Sequence, residues 1–141
     1  MANGKLRDYY WRIKTFIAEH PESFDSESSA FRFPEQDDLV NFELIDAVLV
    51  FRDGSKLYVR AALNYETIVR EQDYAYVYYD AQGNRIFQYD DAPHHPEIAT
   101  HPHHLHRGRK SKREQILPLD VLQVNFITIV EKALERLKKA S

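Results

Sequence analysis

Near the N-terminus Leu6, Tyr9, Tyr10, Ile13, Phe16 and Ile17 recur at helical spacing, with Arg7, Asp8, Arg12 and Lys14 between them. This spacing predicts one amphipathic helix that stops before Pro21. Residues 21–38 are polar, with a small apolar knot at Phe31 and Phe33. From Phe42 the period shortens. Phe42–Phe51 is apolar and branched apart from Asp46, and reads as a buried strand. Asp53-Gly54 is a hairpin signal, and beyond it Leu57, Val59, Ala61, Leu63 and Tyr65 alternate with polar residues. A third strand is expected at Tyr74–Tyr79 and a fourth at Arg85–Tyr89, joined by Gln82-Gly83-Asn84. Residues 90–114 have no period and are expected to form a long loop. Leu122, Phe126, Ile129, Ala133 and Leu137 then step by three and four, predicting a second helix over about 118–139 that opens at Pro118.

The expected fold is therefore α+β: an N-terminal helix, a four-stranded antiparallel meander, a His-rich loop and a C-terminal helix. At 141 residues, 43% of them hydrophobic, the chain is sized for a single domain over 1–141. The absence of cysteine excludes disulfides, thiolate zinc sites and a cysteine nucleophile. No apolar run approaches the roughly 20 residues needed to span a bilayer, so a soluble cytoplasmic protein with no membrane partner is the expectation.

Charge is divided unevenly. Met1–His106 carries 10 Lys+Arg against 18 Asp+Glu, whereas Arg107–Ser141 carries nine against four. A basic linker at 107–114, with Arg107, Arg109, Lys110, Lys112 and Arg113, follows a tract holding six of the seven histidines, His94 to His106. Three chemistries use such a tract: proton transfer, since imidazole exchanges protons near neutral pH; metal binding, with Asp90 or Asp91 as oxygen ligands; and plain anion binding. The basic run would then flank a phosphate. Tyr74, Tyr76 and Tyr78 share one strand face, which serves either as packing or as a platform for stacked bases. The residues alone do not choose among these.

The segments RDGS at 52–55, YAYVYYD at 74–80, GNRIFQYDDAPHHP at 83–96 and HPHHLH at 101–106 resemble the TumE-type toxins of prokaryotic toxin–antitoxin systems. The resemblance is strongest over about 42–106, and it implies an α+β fold akin to small ribonucleases. It also implies a cytoplasmic toxin encoded beside a helix-turn-helix antitoxin, acting on RNA as a metal-independent endoribonuclease. Tyr89, Asp90, His94 and His95 match the first motif, and His103, His104 and His106 the second. The catalytic set implied is His95, His103, His104, His106, Tyr89 and Asp90. Substrate contacts are expected from Arg85, Tyr78, His94, Arg107, Arg109 and Lys110. No cofactor is implied. The competing expectation is a divalent metal held by the histidines of a regulatory module without catalysis, and a homodimer is left open. The chain departs from the family pattern at Asp91 for Asn, His101 for an aromatic residue, Leu105 for Lys and Val77 for His.

Overall fold

The computed structural model describes residues 3–32, 42–65, 69–108 and 114–140. Among these residues helix α1 (Asn3–Ala18) is followed by seven strands: β1 (Ala30–Arg32), β2 (Phe42–Val50), β3 (Lys56–Tyr65), β4 (Val69–Tyr79), β5 (Arg85–Asp90), β6 (His104–Arg107) and β7 (Gln115–Pro118). A short 3-10 turn (Val121–Gln123) leads into helix α2 (Phe126–Ala140). The strands lie side by side in chain order, every neighbouring pair antiparallel. This corrects the four-stranded meander. Six strands of four or more residues are joined by the three-residue edge β1, and part of the expected His-rich loop is strand β6.

Helices cover one face of this sheet. Leu57, Val59, Leu63, Tyr74, Tyr76 and Tyr78 point toward them, with Tyr10, Ile13, Phe126, Ile129, Val130 and Ala133 across the seam. The three tyrosines are thus core, each ring worth roughly 1.5–3 kcal/mol of apolar burial. Tyr78, stacked on Phe87 and 2% exposed, is no base-stacking platform. The other face is open over β2 and β3, where Asp46, Tyr58 and Arg60 are exposed. One-sided burial is what an alternating antiparallel sheet allows.

Pro118 does not open a helix. It ends β7, an edge strand where a missing N–H costs no ladder bond. Helix α2 begins at Phe126, where Asn125 Oδ1 accepts from Thr128 N at 2.8 Å as a cap. Leu122, expected on the apolar stripe, stands 75% exposed on the preceding turn. Among the described residues no helix is long and apolar enough to cross a membrane.

Two irregularities decide where side chains point. Between β4 and β5 the register slips, so that Tyr78 opposes Phe87 but Tyr79 opposes Arg85. The extra residue, Ile86, turns Arg85 onto the open face beside Gln88 and Asp90. A second slip, between Arg60 and Ala62, lies opposite Asp73, whose φ of 48° is left-handed. Both carboxylate oxygens of Asp91 satisfy the backbone there, accepting from Asp73 N at 2.9 Å and Tyr74 N at 3.1 Å. Asp91 is therefore a brace for the bulge.

Candidate active site

Cross-strand partners share a face, so the register of β5 with β6 states which residues meet. Asp90 opposes His104 and Gln88 opposes His106, while Leu105 opposes Tyr89 on the helix side. Alternation along HLHR thus sends His104 and His106 to the open face, onto the carboxylate that β5 presents. His104 Nε2 lies 2.9 Å from Asp90 Oδ1, and His106 Nε2 lies 3.3 Å from Asp90 Oδ2. The two Nε2 atoms are 3.0 Å apart. His95 reaches in from the preceding loop, its ring centroid 4.9 Å from that of His104 and 5.4 Å from that of His106.

That loop is built, not slack. Backbone bonds close successive turns at His94, Ile98, His101 and His103. Thr100 Oγ1 donates to His103 O at 2.7 Å and accepts from Leu119 N, tying the loop to the end of β7.

Outer partners orient every member of the cluster. The carbonyl of Pro102 can only accept, so His104 Nδ1, 2.8 Å away, carries the proton. His106 Nδ1 lies 2.5 Å from Glu114 Oε1. Glu114 in turn accepts from Arg85 Nη2 at 2.6 Å. Burial pushes the Glu114 carboxyl up, but the Arg85 and His106 hydrogen bonds outweigh it and hold the group below the ordinary carboxylate value. Arg85 also donates to Gln88 Oε1 and to Gly108 O, and Gln88 Nε2 donates to Asp90 Oδ2 at 2.8 Å. A chain of hydrogen bonds therefore runs Glu114–Arg85–Gln88–Asp90 beneath the imidazoles.

Each Nδ1 faces an outer oxygen, and both Nε2 atoms face each other and the Asp90 carboxylate, which can only accept when ionised. One shared proton makes one ring a donor and leaves the other an acceptor. That is the composition of a general acid–base pair.

The cluster lines a cavity of about 650 Å³ with Arg85, Gln88, His94, Pro93 and Glu114. A larger cleft, about 970 Å³, lies between the ends of both helices and the β2–β3 turn. Glu19, Glu22, Asp53, Glu131 and Glu135 line that cleft with Arg52 and Lys138, and it holds one histidine, His20, against the four of the smaller cavity.

The other expected site residues part company with this cluster. His103 is outside it, stacked on Tyr74 with Nδ1 2.8 Å from the phenol oxygen. Tyr89 packs edge-on against Phe87 on the helix side. Arg107 shares that side, its charge drawing the Tyr89 hydroxyl down against the larger upward push of burial. His94 is exposed at the cavity rim. Arg109 and Lys110 lie outside the described residues. Glu114 was missed: a lone acid closing a basic run carries no signal until β7 brings it beside His106.

Fold and site together define a small α+β protein with a buried imidazole–carboxylate centre on the face of an antiparallel sheet away from the helices. The chain matches the family model described as Toxin TumE over residues 13–134, and it belongs to that toxin family. The match runs well beyond 42–106 and reaches into α2 as far as Leu134. As a toxin of a toxin–antitoxin pair it has an antitoxin partner. Neither a curated protein nor a solved structure matches the chain.

Proposed function

We propose that this toxin is a metal-independent endoribonuclease in which His95, His104 and His106 transfer protons around Asp90. The observation that carries the reading is the convergence of oriented Nε2 atoms on one buried carboxylate, in a cavity that also holds a guanidinium. In the reaction, one imidazole takes the proton of the ribose 2′-OH as its oxygen attacks phosphorus. The P–O5′ bond breaks, a second imidazole protonates the leaving 5′-oxygen, and a 2′,3′-cyclic phosphate remains. Arg85 supplies the fixed positive charge for the developing negative charge on phosphate. Three of its five N–H donors are engaged by Gly108, Gln88 and Glu114, which sets its orientation. His94, exposed at the rim, would meet the RNA chain, in a cytoplasmic setting where a helix-turn-helix antitoxin would restrain the toxin.

The regulatory metal module without catalysis draws on the same imidazoles but gives no part to Arg85, whose guanidinium lines the same cavity. The test is expression without antitoxin. Wild-type chain and His103→Ala should arrest growth, and His104→Ala with His106→Ala should not. Arrest by the double variant at full strength would sink the proposal.

A further inference from the structure

The three imidazoles obey one rule. His104 Nδ1 lies on the Pro102 carbonyl at 2.8 Å, His106 Nδ1 on Glu114 at 2.5 Å, and His95 Nδ1 on Glu97 at 3.2 Å. An outer oxygen on one ring nitrogen, with the other nitrogen turned inward, is how proteins prepare histidines as metal ligands. Asp90 is oriented in the same way, by Ala92 N on Oδ1 and Gln88 Nε2 on Oδ2.

The inward atoms have the right spacing. Ligands about 2.0–2.1 Å from an ion are about 2.8–3.0 Å apart at a right angle and about 3.3–3.4 Å apart in a tetrahedron. His104 Nε2 and His106 Nε2 lie 3.0 Å apart, and each faces its own oxygen of the Asp90 carboxylate, His104 at 2.9 Å from Oδ1 and His106 at 3.3 Å from Oδ2. One ligand atom from each of His95, His104 and His106 falls within 4.8 Å of the others, so a small swing of His95 on its loop closes the set. Charge agrees. Asp90 and Glu114 oppose the single guanidinium of Arg85, leaving one negative charge for a cation to offset when the rings are neutral. Imidazole nitrogens with one carboxylate suit zinc, nickel or cobalt better than magnesium or calcium.

We propose that His95, His104, His106 and Asp90 form a binding site for one divalent transition-metal ion, zinc above all, and that the bound ion silences the toxin. The silencing rests on the nuclease reading. Each Nε2 lone pair that ligates the ion can neither take a proton from ribose nor hand one to a leaving group. The ion therefore occupies the seat of the shared proton, and metal and catalysis exclude one another. Histidine density did not reveal this set: His101 and His103, equally close in sequence, take no part.

Full-length, tag-free, metal-stripped protein should bind one equivalent of zinc in calorimetry, and cobalt should give the visible bands of a nitrogen-ligated ion. His106→Ala and His95→Ala should weaken zinc by at least tenfold, and Glu114→Gln by about 10–100-fold through loss of the outer carboxylate. His103→Ala should bind as wild type. In parallel, RNA cleavage by the stripped protein should fall at least tenfold on adding one equivalent of zinc, and EDTA should restore it. No stoichiometric binding, or equal loss in His103→Ala and His106→Ala, overturns the site. Binding with cleavage unchanged or increased overturns the silencing. If no sample cuts RNA, the nuclease reading fails and silencing falls with it, while calorimetry still decides the site.

Discussion

Glu71 and Asp90 are carboxylates buried in adjacent strands of one sheet, 8% and 4% exposed, and they do opposite work. Glu71 points to the helices. It accepts from the hydroxyls of Tyr9 and Tyr76, and Tyr9 also accepts from Phe126 N at the start of α2. Burial raises both phenols well above their ordinary value, so their protons stay in place. The network is a sealed peg joining α1, β4 and α2. Asp90 points the other way, into a cavity, and its partners are imidazoles, which exchange protons near neutrality. What separates structure from chemistry here is the proton mobility of the partners and the cavity that Asp90 faces.

The comparison breaks most sharply at the histidines. His104→Ala with His106→Ala should lower RNA cleavage by about 10²–10⁴-fold or more while the far-ultraviolet circular dichroism stays native. Loss of the native spectrum would mean that the open-face cluster is a structural peg as well.

Glu71→Gln should do the reverse, changing stability and leaving cleavage intact. Burial lifts the Glu71 carboxyl from 4.5 to about 7, against the opposing pull of its Tyr76 and Tyr9 hydrogen bonds. A raised value in the folded state means that the native protein holds the proton more tightly than the unfolded chain. The resulting stability is complete below pH 4.5 and is lost as pH rises through 7. Relative to Glu71→Gln, wild type should lose on the order of 3 kcal/mol between pH 4.5 and 8 in urea unfolding. Parallel pH–stability curves would contradict the assignment.

Smaller effects sharpen the boundary of the site. Glu114→Gln keeps an acceptor for His106 but removes the charge, and should cost about tenfold in kcat with KM little changed. A pure KM effect would place Glu114 in binding rather than in orienting His106. His103→Ala should leave cleavage within about threefold of wild type and cost about 1 kcal/mol of stability through its lost bond to Tyr74. A collapse of activity would return His103 to the catalytic set.

Much of the fold could be read from the chain because the strong signals were local. Phe42–Phe51 is an apolar run, Leu57 to Tyr65 alternates, and Asp53-Gly54 and Gly83 mark turns that the backbone adopts with positive φ at both glycines. Strands β6 and β7 were hidden because His104–Arg107 and Gln115–Pro118 have little strand propensity of their own. Pairing with β5 makes them strands, and Pro118 is tolerated because β7 is an edge. The site was half legible. Asp90, His95, His104 and His106 stand in the motifs, yet which histidines meet depends on alternation along β6, invisible while that segment reads as loop. Arg85 reaches the open face through a one-residue bulge, and Glu114 through a register, neither of which leaves a mark in composition. Leu105, where a lysine is expected, packs on the helix side and leaves the centre untouched, whereas Val77 does share the open face with Gln88.

The most direct measurement is RNA cleavage by tag-free protein in excess EDTA, comparing wild type, His103→Ala and His106→Ala. The account predicts cleavage that survives EDTA, leaves 2′,3′-cyclic phosphate ends, persists in His103→Ala and fails in His106→Ala. Cleavage abolished by EDTA, or equally active His103→Ala and His106→Ala variants, would contradict it.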